Sequence, residues 1–73
     1  MGFQYKIEEH IATLSASADG RFSKELNRVS YRGELPKYDI RTWQRDSNGE
    51  KLLKGVTLTD EEFAALKSAL ASC

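Results

Sequence analysis

Cysteine occurs once in the 73 residues, at Cys73, and histidine once, at His10. One thiol closes no disulfide within the chain, and one thiol with one imidazole forms no metal-ligand spacing. No metal and no cofactor are therefore expected. Sparse cysteine suits a reducing compartment, so the expected location is the cytoplasm, nucleoid association included. No segment approaches the roughly 18 apolar residues of a membrane span, so no membrane role is expected. A nucleophile elbow, a P-loop and a histidine relay are all missing. Glu8 and Glu9 are adjacent on a strand pattern and point to opposite faces, so they share no site. Asp60-Glu61-Glu62 is accounted for by helix capping. The expectation is a protein that is not an enzyme.

What remains is a short chain, read as a single domain over residues 1–73. Chains of this size bury little apolar surface and often gain core by oligomerising, which makes a homodimer the expected state. Net charge is zero, but it is unevenly spread. Between Arg21 and Lys54 there are nine Lys or Arg against five Asp or Glu, whereas the two flanks each carry −2. Cations concentrated in the middle of the chain fit a basic groove within an acidic remainder.

The middle segment Pro36–Asp46 alternates with period two, the mark of a strand with two different faces. Tyr38, Ile40 and Thr42 point one way; Lys37, Asp39, Arg41, Trp43 and Arg45 point the other. A Trp between two Arg on an exposed sheet face offers a ring for bases and cations for phosphates. The competing reading has Trp43 packed under a loop and the Arg residues keeping the surface soluble. Phe3 to Ser15 reads as a first strand, with a bend near Ala12 because Leu14 breaks the parity of Tyr5, Ile7 and Ile11. Ala18-Asp19-Gly20 is a turn. Arg21 to Tyr31 is a second strand in which Leu26 and Val29 cannot share one face without a bulge. Asn48-Gly49 supplies positive φ for the next turn, before a fourth strand from about Leu52 to Leu58 in which Gly55 marks a bulge or a close approach.

Thr59 with Glu62 forms a capping box, Leu58 and Phe63 form a staple, and Phe63, Leu66, Leu70 and Cys73 make an apolar helical stripe. The fold class is α+β: a four-stranded antiparallel meander followed by one C-terminal helix, β-β-β-β-α, dimeric. Such a helix covers only part of the sheet.

Phe22, Lys24, Asn27, Arg28, Lys37, Arg41, Trp43, Arg45 and Lys54 are the candidate nucleic-acid-binding residues, supplying cations, rings and an amide across strands two to four. Each has a plainer reading: Phe22 folded onto the core, Asn27 as an edge hydrogen bond, Lys24 and Arg28 as a solvated face. Asp39 is read as orienting Arg41 or Lys37. Which parity of strand two faces the ligand is left open.

The blocks Lys24-Glu25-Leu26-Asn27-Arg28-Val29-Ser30-Tyr31, Pro36-Lys37-Tyr38-Asp39-Ile40-Arg41-Thr42-Trp43 and Lys54-Gly55-Val56-Thr57-Leu58-Thr59-Asp60-Glu61-Glu62-Phe63 closely resemble the bacterial YdbC-like proteins. Those belong with the C-terminal domain of the eukaryotic transcriptional positive cofactor four. The resemblance implies the same four strands and helix, a homodimer made by the helices, and sequence-independent binding of single-stranded DNA along the sheet faces in support of transcription, replication or repair. It also implies that Arg41, Trp43 and Lys54 contact DNA, with Phe22 and Lys24 matched more loosely. The Trp follows the Arg by two residues here, against three in the eukaryotic domain. Single-stranded RNA and a protein-interaction role are the alternatives, since nothing in the sequence reads a 2′-hydroxyl.

Overall fold

The computed structural model describes residues 4–73. Its elements are β1 (Tyr5–Ala16), β2 (Phe22–Tyr31), β3 (Lys37–Asp46), β4 (Gly49–Leu58) and α1 (Asp60–Ala71). The strands form one antiparallel sheet in the order β1-β2-β3-β4, so the α+β meander with a C-terminal helix is the observed architecture. Phe3, expected to open the first strand, lies outside the described residues.

The connections follow from turn chemistry. Asp19 Oδ1 accepts from Ser17 Oγ at 2.7 Å and from the Arg21 amide at 3.0 Å, fixing the first hairpin. Arg32 and Gly33 both take positive φ, and the Glu34 amide closes the β2–β3 turn on the Tyr31 carbonyl at 3.0 Å. In the third turn the positive φ falls on Gly49 and not on Asn48, whose amide instead donates to Asp46 Oδ1.

β2 and β3 pair in unbroken register, Leu26 with Ile40 and Val29 with Lys37. Leu26 and Val29 therefore face opposite sides, and each face of β2 mixes apolar with polar groups. The irregularities sit in the two outer strands. β1 shifts register three times, between Ile7 and Glu9, His10 and Ala12, and Thr13 and Ser15. The expected bend near Ala12 is thus one of three, and Ile11 falls out of the row begun by Tyr5 and Ile7. β4 shifts once, where Leu53 and Lys54 together oppose Thr42. Bulges bend a strand and deepen its twist.

The twist decides which face is inside. Tyr5 opens β1 and Glu50 lies near the start of β4, at diagonally opposite corners of the sheet, yet the Tyr5 hydroxyl donates to Glu50 Oε1 at 2.5 Å. In a flat sheet, strands about 4.8 Å apart would hold these edges well separated. A strongly twisted sheet is a saddle, and this diagonal curls over the face that carries Asp39, Arg41 and Trp43. Val29, Asn27, Asp39 and Trp43 are fully buried there, with no second layer above them among the described residues.

The helix sits on the other, outer face. The Thr59 hydroxyl accepts from the Glu62 amide and the Thr59 amide donates to Glu62 Oε1, completing the expected capping box. Phe63 lies flat on Tyr38, with ring centroids 3.7 Å apart and planes within 6°. The helix reaches only β3 and β4, and none of its residues is buried. At 1.5 Å per residue its 12 residues run about 18 Å, too little to cover the face.

Candidate nucleic-acid interface

The alternation read along β3 is correct, but the solvent lies on the other side from the one expected. Lys37, Asp39, Arg41, Trp43 and Arg45 share the inner face with Ser23, Glu25, Asn27 and Val29 of β2. Trp43, expected to turn its ring outward, has 0% exposure. Tyr5 packs on it at a centroid distance of 5.5 Å, and the Arg45 guanidinium lies 5.3 Å from its ring centre. The twist brings both groups over the indole, so it offers no open stacking surface in this conformation.

Two of the inner cations, Arg41 and Arg45, are already occupied. Arg41 Nε and Nη2 each donate to the Asp39 carboxylate at 2.8 Å, and Nη1 donates to the Leu53 carbonyl at 2.9 Å. Tyr31 donates to the same carboxylate at 2.7 Å. Burial and the adjoining carboxylate push the Tyr31 hydroxyl well above its usual range. The Asp39 hydrogen bonds raise the Arg41 guanidinium further, so it stays charged. Asp39 is thus the orienting partner of Arg41 that the sequence suggested.

Arg45 Nη1 donates to Glu25 Oε2 and Nε to Glu50 Oε2, both at 2.6 Å. Burial of Glu25 works against ionisation, but hydrogen bonds from Arg45, Ser23 and Asn27 outweigh it and hold the carboxyl at about 2. Buried Asn27 donates to Glu25 Oε1 at 3.1 Å, and its Oδ1 accepts from His10 Nδ1 at 2.6 Å. Asn27 is therefore a structural bridge and not an edge group facing solvent. Lys37 is exposed at the rim, opposite Val29.

The outer face carries the other candidates. Register places Phe22 beside Gln44, Lys24 beside Thr42, and Arg28 beside Tyr38. The β4 bulge sets Lys54 against Thr42 from the opposite side. Two shallow hollows of about 280 Å³ each meet here, sharing Lys24 and Thr42 as lining; one reaches Phe22 and the other Lys54. Lys24 and Lys54 are exposed, and neither is in an ion pair among the described residues. Phe22 is half-buried, with the Arg21 guanidinium 5.6 Å from its ring centre. Arg28 stands over Tyr38 at 5.5 Å, farther along the face toward the helix.

The nine candidates therefore do not form one surface. Phe22, Lys24 and Lys54 come together on the outer face; Asn27, Arg41, Trp43 and Arg45 are locked into the inner one. Thr42, which joins the two hollows, was not singled out from sequence, because its place between Lys24 and Lys54 depends on the bulge. Glu25 was missed because a lone carboxylate in a basic stretch carries no mark of its partner.

A twisted antiparallel sheet with a capped C-terminal helix, and a groove of lysines beside an aromatic ring, defines a small sheet-based binding module. The family profile of the transcriptional coactivator p15 (PC4) matches residues 22–69, and the chain belongs to this family. It is thus a nucleic-acid-binding, coactivator-like module. A protein of uncharacterised function from Treponema pallidum (strain Nichols) is similar to it, 44% identical over 70 residues, covering 96% of this chain and 79% of that protein.

Proposed function

We propose that the protein binds single-stranded DNA without regard to sequence, as a homodimer, through the outer groove between β1 and β4. The observation that carries this is the pair of exposed lysines, Lys24 and Lys54, on either side of Thr42 with Phe22 at the groove's end. The lysines suit the phosphates of a strand crossing the sheet, and the Phe22 ring suits an unstacked base. A duplex hides its base faces and gains nothing from the ring. Family membership supports the same ligand class and a role in transcription, replication or repair within the cytoplasm or nucleoid.

The homodimer is supported by apolar surface left open around the helix. Leu70 is 62% exposed and Val56 50%. A second copy laid on the helices would cover the stripe that the sheet does not reach.

Fluorescence anisotropy of labelled oligo-dT, the matched duplex and the matched RNA, titrated at several salt concentrations, tests this reading. The single strand binds more tightly than the duplex. Lys24→Ala and Lys54→Ala each lower the salt slope by about 0.7, as expected for one lost phosphate contact on a single strand. Phe22→Ala loses about 1–3 kcal/mol. Equal binding of strand and duplex, or slopes unchanged in both lysine variants, overturns it; preference for the RNA replaces the ligand.

A further inference from the structure

The inner face holds a group that its surroundings do not satisfy. Trp43 Nε1 is buried and has no hydrogen-bond partner among the described residues. Leaving a buried donor unmade is costly, so the closed packing over this indole carries a penalty that an incoming acceptor would relieve. What closes it is a strap between the two edges of the sheet. Tyr5 from β1 covers the ring and donates to Glu50 of β4; Glu50 holds Arg45, which also lies against the ring. None of these contacts requires a change in strand pairing to break.

We propose that Tyr5, Glu50 and Arg45 form a latch that masks a second base-binding position at Trp43. The inference rests on the single-strand reading above and adds a closed and an open state to it. Breaking the Tyr5–Glu50 hydrogen bond lifts the phenol from the indole. Glu50, no longer fixed by Tyr5, can then release Arg45 Nε as well; the guanidinium, left on Glu25 and Ser23, can turn toward a phosphate, and the indole can stack a base. The carboxylates of Glu25 and Glu50 occupy the guanidinium as a phosphate would, so ligand and latch compete for the same cation. A strand binding only the open state has its affinity reduced by the fraction of molecules that are open. The latch therefore sets both affinity and the number of nucleotides held, because the inner position is engaged only after it opens.

Trp43 is the single tryptophan, so its emission reports the latch alone. The test follows two signals in one titration: anisotropy of labelled oligo-dT for binding, and Trp43 emission with acrylamide quenching for opening. Tyr5→Phe removes the latch hydroxyl but keeps the ring. Glu50→Gln frees Arg45, with Glu61→Gln on the helix as the charge-matched control. The expected result is a change in Trp43 emission on saturation of the wild type, easier quenching of free Tyr5→Phe, and oligonucleotide binding about fivefold tighter in Tyr5→Phe, the effect of one lost hydrogen bond. Glu50→Gln likewise gains more than Glu61→Gln. If anisotropy reports binding while Trp43 emission and quenching stay unchanged in wild type and variants, the latch proposal fails and the outer groove stands. If no oligonucleotide binds any of the proteins, both fail.

Discussion

Asp39 and Arg41, two residues apart on β3, grip each other through two parallel hydrogen bonds of 2.8 Å on a face closed to solvent. Asp39 has 0% exposure, so the pair is a structural unit before it is a binding surface. Removing one member strands the other charge. Asp39→Asn and Arg41→Ala are each expected to cost about 3–5 kcal/mol in urea-induced unfolding. The two together should cost less than the sum, because the double variant leaves no orphan charge.

Gly55 lies opposite Arg41 in the ladder, and a Cβ there would overlap the Arg41 Cβ and crowd the Ile40 carbonyl. The obstruction is backbone and the root of a side chain, neither of which can swing aside. Gly55→Ala is expected to destabilise the fold by about 1–3 kcal/mol, read as a lower urea midpoint with an unchanged slope.

Acid should act through Glu25. Its carboxyl is held at about 2 in the folded protein against an ordinary 4.5. A depressed folded value means that the unfolded chain takes up the proton first. The stability this group contributes is complete above about pH 4.5 and is lost as pH falls toward 2. Thermal melts across that window should show a steeper acid loss in the wild type than in Glu25→Gln.

Leu70 is expected to matter in solution more than its exposure in one chain suggests. If a second copy covers the helix stripe, sedimentation at micromolar concentration gives a dimer, and Leu70→Lys shifts it toward monomer without loss of helical signal. A wild-type monomer under those conditions contradicts the dimer.

Local patterns foretold the elements. The Thr59–Glu62 capping box and the β3 alternation each depend on residues a few positions apart, and each is present; Gly55 marks a close approach by itself, although Arg41, the residue it meets, lies on the neighbouring strand. The solvent-facing side of the sheet was not legible. That follows from the saddle, whose corners bring Tyr5 to Glu50 across 45 residues of sequence. Period two tells which side chains share a face, but not which face the twist closes. The same limit explains why Trp43 reads as a stacking platform in sequence and lies under Tyr5 in the fold. Lys54 was found by its neighbours in the chain, whereas Thr42 became visible only once the bulge set it between two lysines.

The most direct test of the outer groove is backbone amide chemical-shift mapping of the labelled protein titrated with oligo-dT. The expected perturbations centre on Phe22, Lys24, Thr42 and Lys54 and saturate with the anisotropy signal. Perturbations confined to the helix, or a spectrum that oligo-dT leaves unchanged at those four residues, would contradict it.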